Sequence, residues 1–147
     1  MLHKNVGVQN LENGGWYLAA LAPIYAHERV WQENLEQAAA GQPDNPSNSI
    51  GHSCEPNLWW QGENTLVASR NIEPGEAITF DYATKDVDGL ICLPMNCACG
   101  AQSCRHTIQP DDLLRYPQLR EKYQGNLPPS VNEWLKAKLC SDSICAT

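Results

Sequence analysis

A cluster of cysteines near residue 100 constrains this chain more than any other feature of its sequence. Cys97, Cys99 and Cys104 follow a C-x-C-x4-C pattern, and three thiols so close together cannot easily pair with one another. They can surround one soft cation, because zinc accepts four such ligands in a tetrahedron at roughly 2.3 Å each. The pattern therefore predicts a structural zinc site whose fourth ligand lies elsewhere in the chain. Cys54 and Cys92 are the two candidates for that ligand.

The length and charge narrow the class of protein. A chain of 147 residues suits one domain with a modest core. Its net charge of −7 repels nucleic acid phosphates, so direct DNA or RNA binding is not expected. The acidic surface suits a basic partner such as a lysine-rich peptide, although simple solubility would explain it equally well.

The apolar segments are too short for a membrane span or a signal peptide. The longest apolar run, residues 17–26, contains Pro23 and cannot cross a bilayer, and residues 1–10 lack an apolar centre. We therefore expect an intracellular chain with no membrane partner, in which thiols stay reduced. In that setting the seven cysteines favour metal binding over disulfides.

Short strands and a helical tail are predicted along the chain. The strand candidates are residues 57–60, 65–70 and 77–82. A turn between the last two is indicated by Pro74-Gly75, since proline presets φ and glycine accepts a positive φ. The helix candidates are residues 28–40, residues 117–123, and a segment that begins with capping-box spacing at Ser130-Val131-Asn132-Glu133.

Three motifs, taken in order, resemble one protein family. They are His52-Ser53-Cys54-Glu55-Pro56-Asn57, Ile72-x-Pro-Gly-Glu-x-Ile-Thr-Phe-Asp-Tyr82 and Cys97-x-Cys-Gly-x3-Cys-Arg105. Together they resemble the signatures of the SET-domain protein-lysine methyltransferases that carry a post-SET zinc motif. They cover about residues 50–105.

The resemblance implies a mainly β fold with C-terminal helices. In this SET-domain fold a pseudoknot threads the stretch around His52 beside the strand that ends at Tyr82, an arrangement that is exceptional among folds. It implies a SET-like domain over residues 4–88, a post-SET zinc segment over residues 93–109 and a helical extension over residues 110–147.

The resemblance also implies a chemistry and its residues. The cofactor would be S-adenosylmethionine, the substrate a lysine-containing protein or peptide such as a histone tail, and Tyr82 the catalytic residue that orients amine and methyl group. The family places the fourth zinc ligand at Cys54, which completes a set with Cys97, Cys99 and Cys104. The residues that would contact the cofactor are Gly15, Trp16, Gly51, His52 and Tyr82. Arg105 would pair with an acid such as Glu55 or Asp81.

The chain departs from the family pattern in its first half. Gly51 stands where the family has asparagine, and Gly15-Trp16 resembles a remnant of the family's Gly-x-Gly cofactor loop. Residues 24–30 resemble a remnant of its Ile-x-x-Gly-Glu turn, with His27 in place of the glycine. Fewer residues than in the family separate this turn from His52. These departures favour an alternative, a catalytically inactive SET-like module that keeps the zinc and binds a basic peptide. A zinc-only interaction module is a third reading, which leaves residues 72–82 unexplained.

Overall fold

The computed structural model describes residues 1–140, so the prediction of a helical extension over residues 110–147 can be compared only up to residue 140. Small sheets and short helices make up this part of the chain, which is mainly β with helices at its C-terminal end. The strands are β1 (Val6–Asn10), β2 (Trp16–Ala20), β3 (Arg29–Gln32), β4 (Gly51–His52), β5 (Leu58–Trp60), β6 (Thr65–Ala68), β7 (Thr79–Phe80), β8 (Met95–Asn96) and β9 (Thr107–Ile108). The helices are α1 (Leu35–Ala39), α2 (Asp112–Arg115), α3 (Pro117–Lys122) and α4 (Pro129–Leu139).

An antiparallel sheet in the order β3-β6-β5 forms one wall of the main core. Its strands are rich in β-branched and aromatic residues, which pack well on a pleated surface. Trp60 on β5 lies edge-on to both Trp31 on β3 and Phe80 on β7, with ring centroids 6.2 and 6.0 Å away. The indole N–H of the buried Trp60 donates to Thr84 Oγ1 at 2.9 Å. The core is therefore closed by aromatic contacts between segments that are distant in sequence.

A short parallel pairing lies beside this sheet. In it β4 runs parallel to β7, with Gly51 opposite Thr79 and His52 opposite Phe80. The expected placement of the stretch around His52 beside the strand leading to Tyr82 is thus confirmed. The regular strand is shorter than the predicted residues 77–82, because the chain enters a 3-10 turn at Tyr82.

The predicted helix over residues 28–40 is wrong in its first half. Residues Arg29–Gln32 form β3 and pair with β6, while helix α1 covers only Leu35–Ala39. Val30 and Trp31 are almost fully buried in the core. Tertiary packing has therefore overridden a helical preference that is worth only fractions of a kcal/mol per residue, on the order of 0.7 kcal/mol at most.

The C-terminal helices build a second apolar cluster. Its buried members are Leu113, Leu119, Tyr123, Leu127, Val131 and Leu135. The predicted helix over residues 117–123 is confirmed as α3, and α4 was expected to start at the Ser130 capping box. Instead α4 starts at Pro129 without a side-chain cap, and the Ser130 N–H and hydroxyl both donate to Glu63. No helix within residues 1–140 is both long and apolar enough for a membrane span.

Candidate active site and cysteine cluster

Four cysteine side chains converge on one point. The Sγ atoms of Cys54, Cys97, Cys99 and Cys104 all lie within 4.8 Å of one another, and Cys54 Sγ is 3.9 Å from Cys97 Sγ. Zinc–sulfur bonds of roughly 2.3 Å in a tetrahedron place neighbouring sulfurs about 3.8 Å apart. The donor set and its spacing therefore fit one zinc ion. Of the two candidates for the fourth ligand, the structure brings Cys54 into the group and leaves the exposed Cys92 outside it.

The β8–β9 hairpin carries three of these thiols. Cys97 directly follows β8, and its N–H donates to His106 O at 2.7 Å. Gly100, at the sharp bend between Cys99 and Cys104, has a φ of 77°, a conformation that glycine adopts without steric cost. Because the bend reverses the chain within a few residues, the three thiols of the hairpin point at one position.

The protonation of the thiols differs across the cluster. Burial raises the pKa of Cys54 to about 12, partly offset by the N–H of Arg105. Burial by itself would raise the pKa of Cys99 as well. Hydrogen bonds from the backbone N–H groups of Cys54 and Ala101 have the larger effect and lower the pKa of Cys99 to about 6. Thiols ligate metals as thiolates. A buried Cys54 therefore ionises readily only beside a compensating cation, which is the environment that a zinc site provides.

Tyr82 lies at the start of the 3-10 turn Tyr82–Thr84. Its hydroxyl donates to Ile50 O at 2.6 Å, and its ring packs against Phe80 and His52 with centroids 5.0 and 5.3 Å away. Burial, together with the nearby Cys92, raises the pKa of Tyr82 to about 12. The hydroxyl is thus a protonated donor at neutral pH, and its oxygen keeps lone pairs available for another partner.

His52 contacts both the ring and the backbone N–H of Tyr82. Its side chain is only 1% exposed. Burial lowers the pKa of His52 to about 4, although the negative charge of Asp81 acts to raise it. The ring is therefore neutral at pH 7, so its 3.7 Å approach to Asp81 is not an ion pair. The N–H of Tyr82 donates to Nδ1 at 3.0 Å, which assigns the ring proton to Nε2, 3.5 Å from Cys54 Sγ. His52 thus connects the cysteine cluster to the backbone of Tyr82.

Two cavities meet at Tyr82. The larger, of about 210 Å³, is lined by Trp16, Tyr17, Ser47, Asn48, Ser49, Ile50, Gly51 and Tyr82. The smaller has room for about one water molecule, with a volume of about 10 Å³. Its lining includes Ser47, Phe80, Tyr82, Asp86 and Cys92. Ser47 and Tyr82 are common to both linings, so Tyr82 forms part of the wall between them.

The predicted cofactor residues fall into two groups. Trp16, Gly51 and Tyr82 line the larger cavity together, whereas Gly15 precedes Trp16 without lining it and the His52 side chain points to the cysteine cluster. A Cβ added at Gly51 would meet nothing within 4 Å. The larger cavity is smaller than the roughly 300–1,000 Å³ of typical ligand sites, so it would enclose only part of a cofactor.

The turn before β3 contains a non-glycine residue in a left-handed conformation. His27 has a φ of 74°, a left-handed conformation that favours glycine. Glu28 closes the turn by accepting the N–H of Tyr25 at 2.7 Å. The φ of His27 is the conformation expected of the glycine in the predicted Ile-x-x-Gly-Glu turn.

Sequence reasoning found only part of the polar network behind the site. Arg105 pairs with Asp81, one of its two predicted partners, at 2.8 Å. Glu55, the other candidate, instead contacts Lys122 and Ser103. Asp112, a second partner of Arg105, was not anticipated. It shares no motif with Arg105, and no individual helix was predicted at residues 112–115, where the structure has α2.

Comparison with known proteins identifies the class. Residues 25–83 match the family model of the SET domain. A histone-lysine N-methyltransferase, H3 lysine-36 specific, of Candida albicans is 35% identical over 59% of this chain and 11% of its own length. The histone-lysine N-methyltransferase SETMAR of Mus musculus is 26% identical over 77% of this chain and 41% of its own length.

A solved structure shares the fold. The crystal structure of KRYPTONITE in complex with mCHH DNA, H3(1-15) peptide and SAH superposes with a TM-score of 0.52 and 26% identity, over 73% of this chain and 30% of that chain. Residues 25–83 of this chain are therefore a SET domain, and its relatives include histone-lysine methyltransferases. The chain spans less than half the length of these relatives.

Proposed function

We propose that this chain is a protein-lysine N-methyltransferase that uses S-adenosylmethionine and carries a structural zinc ion. The observation that carries the proposal is the placement of the Tyr82 hydroxyl, held by Ile50 O at 2.6 Å in the wall between two cavities. A methyl donor on one side and a lysine amine on the other would meet at this hydroxyl. The SET domain over residues 25–83 supports the same reaction, as do the relatives, which are histone-lysine N-methyltransferases.

Tyr82 would act by orienting the substrate amine. Because its proton is committed to Ile50 O, its oxygen can accept a hydrogen bond from the amine N–H. The pKa of about 12, raised by burial, keeps this hydroxyl protonated at working pH. Correct alignment of two reacting groups can supply several kcal/mol of rate enhancement, roughly 7–11 kcal/mol in the best model reactions.

The narrow cavity beside Tyr82 would help the amine lose its proton. Phe80 and the Tyr82 ring form part of its wall, and desolvation of a lysine ammonium lowers its pKa. Asp86 holds another part of the wall, because its carboxylate accepts the N–H groups of Ile91, Cys92 and Leu93 at 2.7–3.0 Å. The Asp86 charge is thus largely satisfied by backbone donors.

The larger cavity is the proposed cofactor site. S-adenosylmethionine supplies an activated methyl group when bound. The lining residues are neutral and offer hydroxyl, amide and backbone groups. Trp16 is 51% exposed and presents an aromatic surface on which a purine can stack. Open space at Gly51 leaves room for a ligand to approach the backbone.

Cys54, Cys97, Cys99 and Cys104 would hold the zinc ion. The ion would cross-link the β8–β9 hairpin to the segment that directly follows β4, the strand that carries His52. It would have no chemical role in the transfer, since a four-cysteine zinc site has no open position.

Mass spectrometry of an H3(1–15) peptide, incubated with the zinc-loaded chain and S-adenosylmethionine, tests the proposal. We expect methylated lysine from the wild type, and a loss of at least about 100-fold in rate from Tyr82→Phe with zinc content unchanged. Tyr25→Phe, which alters an exposed tyrosine, is the matched control and should keep full activity. An equal rate in Tyr82→Phe would remove Tyr82 from its role.

A catalytically inactive, peptide-binding SET-like module is the second candidate. Two observations favour it: the small volume of the proposed cofactor cavity, about 210 Å³, and the absence of a side chain at Gly51. This candidate predicts that the lysine peptide binds while no methyl group is transferred and no cofactor binds.

A histone tail is the proposed partner, and it would place the chain inside the cell, in the nucleus. The acidic charge of −7 complements such a basic peptide. Imaging of a fluorescently tagged chain is expected to show nuclear signal, and exclusion from the nucleus would point to another lysine-containing substrate.

A further inference from the structure

Arg105 connects the cysteine cluster to the turn that carries Tyr82. It directly follows Cys104, and its backbone N–H donates to Cys54 Sγ at 3.4 Å. Its side chain reaches the other way, with Nη1 and Nη2 donating to the two carboxylate oxygens of Asp81 at 2.8 and 2.9 Å. Because Asp81 immediately precedes Tyr82, a single residue spans the distance from the cluster to the tyrosine.

Asp81 in turn shapes the backbone at Tyr82. Its Oδ1 accepts the N–H of Ala83 at 3.0 Å, and its carbonyl accepts the Thr84 hydroxyl at 2.6 Å, so it caps the 3-10 turn. The Asp81 side chain is 1% exposed. A buried carboxylate without a partner is strongly unfavourable, and the bidentate contact with Arg105 supplies the opposite charge.

The C-terminal helices also contact the Arg105–Asp81 pair. Arg105 Nε donates to Asp112 Oδ2 at 2.9 Å, where Asp112 opens α2. The Tyr123 hydroxyl donates to Asp81 Oδ2 at 2.9 Å from the end of α3. All three nitrogens of the Arg105 guanidinium are therefore engaged, which fixes the orientation of Arg105 between the hairpin and the helices.

We infer that Arg105 is a positioning residue for Tyr82, through which the cysteine cluster and the C-terminal helices set the orientation of the tyrosine. The inference rests on the proposed function for Tyr82. The planar, forked guanidinium is required, because a lysine ammonium is a point charge that cannot bond to both oxygens of Asp81 and to Asp112 in the same geometry.

Carbon-13 labelling at Cζ of tyrosine provides a readout that does not depend on activity. The chain has five tyrosines, and the Tyr82 signal is assigned by its disappearance in Tyr82→Phe. In zinc-loaded Arg105→Lys we expect a shifted Tyr82 signal, with one zinc per chain retained. The matched control is Arg115→Lys on α2, which alters an exposed pair with Asp111 and should leave the Tyr82 signal unmoved.

Kinetics give the second readout. We expect Arg105→Lys to lower kcat by about 10- to 100-fold, since small misplacements of a catalytic group have effects of this size. The KM values for cofactor and peptide should stay within about threefold, because Arg105 lines neither cavity at Tyr82. A purely structural role would lower the melting temperature and leave kcat unchanged in the folded protein.

A folded, zinc-loaded Arg105→Lys with an unmoved Tyr82 signal overturns the inference. Should this variant not fold, Asp112→Asn decides, since it removes the charge that holds Arg105 Nε and Asp112 lines neither cavity at Tyr82. A shift of the Tyr82 signal in Asp112→Asn supports the inference and an unmoved signal refutes it. A wild type that lacks activity contradicts the proposed function alone, because the spectroscopic result stands without it.

Discussion

Replacing Cys54 with serine should weaken zinc binding by about 100- to 1,000-fold. Zinc sites of this kind bind with roughly 10–16 kcal/mol, and Cys54 would supply one of four thiolates. An equal share per ligand is about 2.5–4 kcal/mol, which corresponds to a factor of about 100–1,000. Serine fits the same buried space and can still accept the N–H of Arg105, so the loss would arise mainly from the missing metal bond.

Competition with a chromophoric chelator at pH 7 measures this affinity, and elemental analysis gives the zinc content. Cys92→Ser is the matched control, because Cys92 is exposed and outside the cluster, and it should bind zinc as the wild type does. Wild-type affinity in Cys54→Ser, together with a large loss in Cys92→Ser, would refute the assignment and make Cys92 the fourth ligand.

Two further substitutions test the departures of Gly51 and His27 from the family pattern. Gly51→Asn should strengthen S-adenosylmethionine binding by about fivefold, since the site has room for a side chain and one added hydrogen bond is worth about 1 kcal/mol. Calorimetry measures this affinity. Weaker binding would mean that the added side chain blocks the cavity. His27→Gly should raise the melting temperature by up to about 2–4 °C, because relief of the left-handed strain, about 1–2 kcal/mol, exceeds the entropic cost of glycine, roughly 0.5–1 kcal/mol. His27→Ala keeps the positive φ and should give no such gain, so equal melting temperatures for both variants would exclude strain as the cause.

The cysteine spacing and the resemblance carried by the three motifs were sufficient to predict the cluster and the placement of the stretch around His52 beside the strand that leads to Tyr82. Cys97, Cys99 and Cys104 lie within eight positions, so local chemistry alone indicated a metal site. The fourth member could not be chosen from spacing, because Cys54 and Cys92 are both distant in sequence. The resemblance to the family selected Cys54, and the structure places it in the group.

Errors arose where tertiary contacts decide the local structure. Residues Arg29–Gln32 have ordinary helical preferences, but burial of Trp31 and pairing with β6 make them a strand. Ser130 has capping-box spacing, yet Glu63, 67 positions earlier in the chain, takes its hydrogen bonds. Tyr123 donates to Asp81 across 42 positions. No pattern within either segment predicts contacts of this range.

The domain boundaries at residues 4–88, 93–109 and 110–147 stay predictions. The cysteine cluster and the C-terminal helices contact the Tyr82 turn through Arg105 and Tyr123. These contacts indicate that the three segments act as one folded unit around the site. Limited proteolysis of the zinc-loaded chain is expected to leave the junctions near residues 90 and 110 intact.

Calorimetric titration of the zinc-loaded chain with S-adenosylmethionine tests most directly whether the cavity lined by Trp16, Gly51 and Tyr82 holds a methyl donor. We predict a saturable heat with one cofactor per chain, and displacement of that cofactor by S-adenosylhomocysteine. A folded chain with one bound zinc that releases no heat even at millimolar cofactor would contradict the methyltransferase proposal and leave the peptide-binding module in its place.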